Sequence, residues 1–199
     1  MVEQFRFNHP TTWHLRQRPI DYRHTAWSIE DEHGHEVASV RADSYQVGHR
    51  DISSCCVDAR SGQEVFTGQF QPHHLVYFVK QNGQVLYSMH SDIPTAPRGW
   101  SCYRGEVPHG GGGHDLLVFE APRRPCCVGH GAYVDAHGDD IAEVHLEHNA
   151  ACHQVYCAEV EPGENSALVW AMIVAQATYK DHLARSKTKY NNEYGWADQ

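Results

Sequence analysis

Residues 167–175 read ALVWAMIVA, an unbroken run of nine apolar residues. Asn165 or Ser166 supplies a helix N-cap before the run, and polar residues return from Gln176 onward. Alanine, leucine and methionine favour a helix, although the part rich in valine and isoleucine is also compatible with a β-strand. We predict a helix over about residues 166–184. Because its first half is apolar on every side, other elements must surround it.

Several side chains of this helix are predicted to form the centre of the core. They cover all faces of nearly two turns: Val169, Trp170, Met172, Ile173 and Val174. Trp13, Trp27 and Trp100 are further candidates for the core, since a helix enclosed by strands needs bulky side chains around it.

The rest of the chain repeats a β-hairpin pattern. Apolar and polar residues alternate, a polar stretch interrupts them, and a glycine ends the stretch before the alternation resumes. The four copies are residues 28–37, 56–65, 78–86 and 133–141. Four hairpins give at least eight strands, so the chain is predicted to be mostly antiparallel β. Strands around a buried helix indicate a barrel or a strongly curled sheet.

Two adjacent cysteine pairs stand in the two halves of the chain. Cys55-Cys56 leads into the second hairpin, and Cys126-Cys127 precedes the fourth by a few residues. The repetition is compatible with an internal duplication or with coincidence, and both interpretations stay open.

With these features the sequence resembles the superfamily of LURP-one-related proteins, phospholipid scramblases and tubby C-terminal domains. The resemblance covers about residues 20–180. It rests on the repeated strand–Asp-x-x-Gly–strand hairpin, on the late apolar helix, and on the segment 123–127, which is similar to the Pro-Cys-Cys segment of scramblases. It implies a mainly β fold, a closed antiparallel barrel of about twelve strands around the C-terminal helix.

This fold divides the chain into three predicted parts. Residues 1–19 would be an N-terminal arm, residues 20–184 the tubby-like barrel with its central helix, and residues 185–199 a polar tail that carries aromatic residues. Tyr190, Tyr194 and Trp196 in that tail are candidates for contact with a partner, because aromatic side chains are frequent anchors at interfaces.

Composition restricts the class of partner and the compartment. The chain has 25 acidic against 16 basic residues, a formal net charge of -9, which argues against nucleic-acid binding. No apolar run approaches the roughly 18–20 residues that span a bilayer, so no integral membrane segment is expected. The N-terminus has no apolar signal core. The seven cysteines are an odd number and the sequence has no Asn-x-Ser/Thr sequon, so an intracellular, cytoplasmic protein is expected.

Enzymatic signatures are weak in this sequence. The stretch His109–His114, with four glycines between two histidines, is similar to the oxyanion loop of esterases. That loop requires a nucleophile on a Gly-x-Ser-x-Gly elbow, which the sequence lacks. We therefore predict a flexible loop there, a protein that is not an enzyme, and no catalytic residue.

Histidines and cysteines form four candidate sets of metal ligands. Zinc sites usually show two short paired spacings, which none of these sets has. His145 and His148 in one strand would point to opposite faces. Surface histidines and buried thiols are therefore the favoured interpretation, and neither a metal nor a cofactor is predicted. The four sets are His73-His74, Cys126-Cys127 with His130, His145 with His148, and Cys152-His153 with Cys157.

The predicted function is that of a non-enzymatic interaction or scaffold protein, a subunit of a larger assembly whose terminal arms contact its neighbours. The alternative is the function that the resemblance implies, a peripheral membrane module that binds lipid in a phosphoinositide-binding or scramblase-like manner. Its positive charges would be few: Arg16, Arg18, Arg23 and the region Lys180–Lys189. We expect membrane contact to be weak.

Overall fold

The structure is a computed structural model that describes residues 5–19, 24–43, 51–72, 74–91, 99–107, 114–122, 130–148 and 154–193. For residues 181–193 the description covers the backbone.

Twelve antiparallel strands close into a barrel, the fold that the resemblance implies. Each strand pairs with the next one along the chain, and the first strand pairs with the last to complete the ring. The strands are β1 (Thr11–Pro19), β2 (His24–Glu30), β3 (Glu36–Asp43), β4 (Ile52–Asp58), β5 (Glu64–Gln71), β6 (Val76–Gln81), β7 (Gln84–Ser91), β8 (Gly99–Arg104), β9 (Leu117–Pro122), β10 (His130–Val134), β11 (Asp140–His148) and β12 (Gln154–Val160). Closure leaves the described strands without an unpaired edge.

The predicted N-terminal arm is wrong, because its second half is strand β1. Trp13 and Leu15 of this strand are buried, with 5% and 0% of their surface exposed. Phe5 lies further towards the N-terminus and is also in the core, with its ring 4.8 Å from that of Trp170. The alternation of apolar and polar residues is typical of a strand with one buried face, and this strand pairs with β12 on one side and with β2 on the other.

Helix α1 (Ser166–Glu193) begins at the predicted residue and extends past the predicted end near residue 184. Lys180 is exposed, and the helix continues past it for thirteen residues. Glycine and proline are absent between Gly163 and Gly195, so nothing in this stretch interrupts the backbone hydrogen bonding. Within the described part of the chain, no helix combines the length and the apolar character required to cross a bilayer.

The apolar half of α1 fills the centre of the barrel. Every residue in Ala167–Ala175 is at most 2% exposed. The Trp170 ring lies 5.0 Å from that of Trp13 on β1. The Tyr179 ring lies 6.2 Å from Phe70 on β5 and 5.8 Å from Trp100 on β8. Because these strands lie on different sides of the barrel, the helix is surrounded by the sheet.

The predicted hairpin turns are confirmed at their glycines. Gly34, Gly62, Gly83 and Gly138 have φ angles between 67° and 89°, a region that side chains with a Cβ disfavour. The register of β6 and β7 shows the shortest of these turns, in which Asn82 and Gly83 alone join Gln81 to Gln84. Asn82 also has a positive φ of 52°, as a tight two-residue hairpin turn requires.

Three of the turns share an aspartate that caps the turn backbone. The Asp58 carboxylate accepts hydrogen bonds from the backbone N–H groups of Arg60 (3.0 Å) and Ser61 (2.7 Å). Asp31 and Asp135 each accept two backbone N–H groups in the same way. These hydrogen bonds hold the pKa of all three carboxyls below the usual range. This aspartate cap recurs in both halves of the chain. The second of the two cysteine pairs, Cys126-Cys127, lies outside the described residues.

Candidate functional site

The barrel interior is occupied by side chains of low reactivity. The predicted helix core is buried as expected, with Val169, Trp170, Met172, Ile173 and Val174 at most 1% exposed. Among the described titratable groups within it, burial raises the pKa of two thiols and two phenols: Cys56, Cys102, Tyr77 and Tyr133. These groups stay protonated near neutral pH, so they are poor nucleophiles and poor bases.

The two phenols are held by hydrogen bonds inside the barrel. The Tyr77 hydroxyl lies 2.5 Å from the Ser54 hydroxyl. The Tyr133 hydroxyl donates to Gln176 of α1 across 3.3 Å. These bonds satisfy groups that would otherwise be buried without a partner, and their role is therefore structural.

A row of polar side chains crosses the outer face where the chain's first and last strands meet. The register pairs Glu30 of β2 with His14 of β1, His14 with Cys157 of β12, and Cys157 with His145 of β11. Directly opposed residues of antiparallel strands project from the same face. We call these four residues the outer row, and the pairing of β1 with β12 the seam.

The orientation of the outer row follows from the residues next to it. Leu15, Tyr156 and Val144 alternate with the members of the outer row along their strands, and all three belong to the apolar core. Because side chains of a strand point alternately to its two faces, the outer row faces away from the central helix.

Three potential metal ligands meet at one end of this row. The donor atoms of His145, Glu147 and Cys157 all lie within 4.8 Å of one another. The His145 Nε2 atom is 3.5 Å from the Glu147 carboxylate, whose side chain is 54% exposed. Cys157 is only 4% exposed although it lies on the outer face. The arrangement therefore combines a sheltered thiol with accessible nitrogen and oxygen donors.

The thiol in this cluster is held in its protonated form. Burial raises the pKa of Cys157 to about 11, and the carboxylates of Glu147 and Glu159 contribute by disfavouring a second negative charge. A nucleophilic cysteine needs the opposite, a positive environment that lowers its pKa. The electrostatics of Cys157 therefore favour a role other than nucleophilic catalysis.

The other members of the outer row differ in how they are partnered. Glu30 accepts hydrogen bonds from Arg16 Nε at 2.8 Å and from the Ser28 hydroxyl at 3.1 Å. His14 has a buried Nδ1 atom for which the described residues provide no hydrogen-bond partner. The imidazole that faces Cys157 across the seam thus keeps one ring nitrogen available.

The structure groups the histidines and cysteines differently from the sequence analysis. His145 was grouped with His148 and Cys157 with Cys152-His153, whereas the structure brings His145 and Cys157 together. Cys152 and His153 lie outside the described residues. The available sequence signal was His145-x-Glu147, because residues two apart in a strand share a face.

The other sequence candidates remain apart or undescribed. His74 is exposed, while His73, Cys126 and Cys127 lie outside the described residues. The backbone of His130 pairs with that of His145. Of the predicted partner contacts, Tyr190 belongs to α1 by its backbone, and Tyr194 and Trp196 lie outside the described residues.

Comparison with known proteins assigns no family to this chain. No family model matches it, and neither the curated proteins nor the solved structures contain a match. The barrel with its central helix agrees with the fold that the LURP-one, scramblase and tubby resemblance implies, and the membership itself stays a prediction.

Proposed function

We propose that this chain is a non-enzymatic interaction or scaffold protein that serves as a subunit of a larger intracellular assembly. The observation that supports the proposal is the filled interior. Barrels that carry a ligand enclose a cavity, whereas here Ala167–Ala175 occupies the centre at no more than 2% exposure. Recognition is therefore left to the outer face and the two ends of the barrel.

The chemistry of the described residues supports a role without catalysis. The buried thiols and phenols are neutral, and Cys157 on the outer face carries a raised pKa of about 11. General acid–base or nucleophilic catalysis needs groups whose pKa lies near the working pH.

The length of α1 supports a contact role for the C-terminal region. A helix of 28 residues is about 42 Å long, whereas a nine-residue strand spans about 30 Å before its tilt in the barrel is considered. Tyr179 is still buried at 1% exposure, and Lys180 is exposed. We infer that the helix projects beyond the barrel and carries Tyr190 towards a partner.

Truncation after Ser186 tests this function. We expect the truncated protein to keep its melting temperature within a few degrees, because the buried residues described on α1 end at Tyr179. Assembly should weaken, as measured by light scattering after size exclusion and by recovery of copurifying protein. A full-length variant with Tyr190, Tyr194 and Trp196 replaced by serine is the matched control for length, and it should reproduce the loss.

Two results would contradict this proposal. If truncation unfolds the isolated domain, the tail belongs to the barrel. If the full-length chain is a monomer at all concentrations and no partner depends on residues 187–199, the chain does not assemble through its C-terminal end.

A membrane-binding assay separates the scaffold function from its alternative, the lipid-binding membrane module that the tubby and scramblase resemblance implies. Among the candidate cations, Arg16 is already paired with Glu30 at 2.8 Å, and the net charge of -9 opposes approach to an anionic surface. We expect cosedimentation with phosphoinositide-containing vesicles to be weak and to disappear as salt increases, since screening removes such attraction. Tight binding that persists at high salt would favour a lipid-binding module instead of the scaffold.

A further inference from the structure

We propose that His145, Glu147 and Cys157, completed by His14, bind a divalent transition metal of the zinc class on the outer face of the barrel. The site would join the first strand of the chain to the last two strands. It is independent of the scaffold function proposed above, and it uses residues that this function leaves unassigned.

The donor chemistry selects the class of metal. The set offers one or two imidazole nitrogens, a carboxylate oxygen and a thiol sulfur, and this mixture suits Zn²⁺. Mg²⁺ and Ca²⁺ prefer oxygen donors alone, so the thiol argues against them. With Cys157 as thiolate and Glu147 ionised, the two negative charges balance the charge of a divalent ion. Metal binding would displace the thiol proton into solvent.

The geometry requires only small side-chain adjustments. Ligand atoms lie about 2.0–2.3 Å from zinc, which sets tetrahedral donors about 3.5 Å apart. The three donor atoms here are already within 4.8 Å of one another, and His145 and Glu147 are 3.5 Å apart. His145 and Cys157 are direct cross-strand partners, so their backbones are held at a fixed spacing by β11–β12 pairing. Rotation about side-chain bonds closes the remaining gap.

His14 is not among the three donors that already lie within 4.8 Å, and its imidazole would turn towards Cys157 to supply the fourth ligand. It faces Cys157 across the seam from the side opposite to His145. Directly opposed residues have Cβ atoms about 4.5–5.5 Å apart, a distance that a metal between an imidazole and a thiolate can bridge. The buried Nδ1 atom of His14 has no hydrogen-bond partner within the described ranges, and a metal ion would satisfy it.

The position of the site assigns it a structural role. The seam unites residues that are 143 positions apart, from His14 to Cys157. Bringing together such distant parts of a chain costs conformational entropy, and a link between them stabilises the folded state. A metal at this place would hold the barrel closed at the seam, where β1 pairs with β12.

Metal titration of the full-length protein tests the proposal. The chain is first dialysed against a chelator, then titrated with Co²⁺ and with Zn²⁺ in competition with a chromophoric chelator. We expect one tight equivalent per chain, a thiolate-to-cobalt charge-transfer band in the near ultraviolet, and a higher melting temperature with Zn²⁺. Cys157→Ser should remove the band, and His145→Gln, Glu147→Gln and His14→Gln should each weaken Zn²⁺ binding at least about tenfold.

Matched controls separate this site from adventitious binding by the other histidines and cysteines. Cys55→Ser removes a half-buried thiol on β4, and His33→Gln removes an exposed imidazole. Both should bind Zn²⁺ like the unaltered chain. All variants are compared by thermal melting in the presence of chelator, which shows whether each of them folds. If Cys157→Ser does not fold, Zn²⁺ binding by His145→Gln is the deciding measurement.

Three outcomes would overturn the proposal. A cobalt band that survives in Cys157→Ser, or Zn²⁺ affinity that is unchanged in folded His145→Gln, places the metal elsewhere. Equal Zn²⁺ affinity in the cluster variants and in the controls shows adventitious binding only. Unchanged Zn²⁺ affinity in folded His14→Gln shows that His14 is not a ligand and that the metal does not link β1 to β12.

Discussion

Replacement of Ile173 by Asp should abolish soluble, folded protein. Ile173 is fully buried at the centre of the barrel, within a helix segment that is apolar on all sides. A carboxylate there would have no counter-ion, and an uncompensated buried charge costs at least about 3–5 kcal/mol. That is a large fraction of the roughly 5–15 kcal/mol by which domains are stable. Soluble yield and the circular-dichroism melting curve measure the effect.

Two controls make the Ile173 result specific. Ile173→Val should cost only about 1 kcal/mol, because it removes one methylene from the same site. Lys180→Asp introduces the same carboxylate at an exposed position of the same helix and should leave folding intact. A folded Ile173→Asp protein with an unchanged melting curve would show that α1 does not form the core.

Replacement of Gly68 by Ala should be almost as damaging, although it adds a single methyl group. An added Cβ would lie 1.8 Å from the Tyr77 hydroxyl oxygen and 2.3 Å from the Ser54 hydroxyl oxygen. The Tyr77 ring therefore occupies the space that a side chain at Gly68 would need. We expect a loss of about 3 kcal/mol in the free energy of unfolding, from overpacking and from disruption of the Tyr77–Ser54 hydrogen bond.

A double-mutant cycle tests this explanation for Gly68. Tyr77→Leu alone should destabilise the barrel by creating a cavity. In the presence of Tyr77→Leu, Gly68→Ala should cost much less, and the coupling free energy from denaturant unfolding should exceed about 1 kcal/mol. Thr67→Ala on the same strand is the control for alanine substitution. Additive effects of the two changes would refute the steric conflict with Tyr77.

Local patterns in the sequence predicted most elements of the fold correctly. The apolar run at 167–175 predicts a helix enclosed by other elements, and the period-two alternation with turn glycines predicts the hairpins. These signals are reliable here because each depends on residues within a few positions of one another. Gly34 and Gly83 illustrate this, since the backbone conformation that they adopt is a requirement of the turn itself.

The errors lie at the two boundaries of the predicted barrel. Residues 11–19 were predicted to belong to an arm, but they form strand β1, whose side chains His14 and Arg16 lie on the outer face. The polar residues after Tyr179 were predicted to end α1 near residue 184, but helices end where capping residues or glycine and proline occur. Polarity shows which side chains meet water, and it does not show whether the backbone is regular.

The sequence by itself determined the class of this protein: a mainly β chain around a central C-terminal helix, with turns closed by aspartate and glycine. Only the tertiary structure decided that the first strand pairs with the last, in the register that sets His14 opposite Cys157. Helix and hairpin signals are local, because their hydrogen bonds join near neighbours. The seam is non-local, since its register depends on how twelve strands close into a ring. For that reason His145-x-Glu147 was visible in the sequence, while the cluster that it forms with Cys157 and His14 was not.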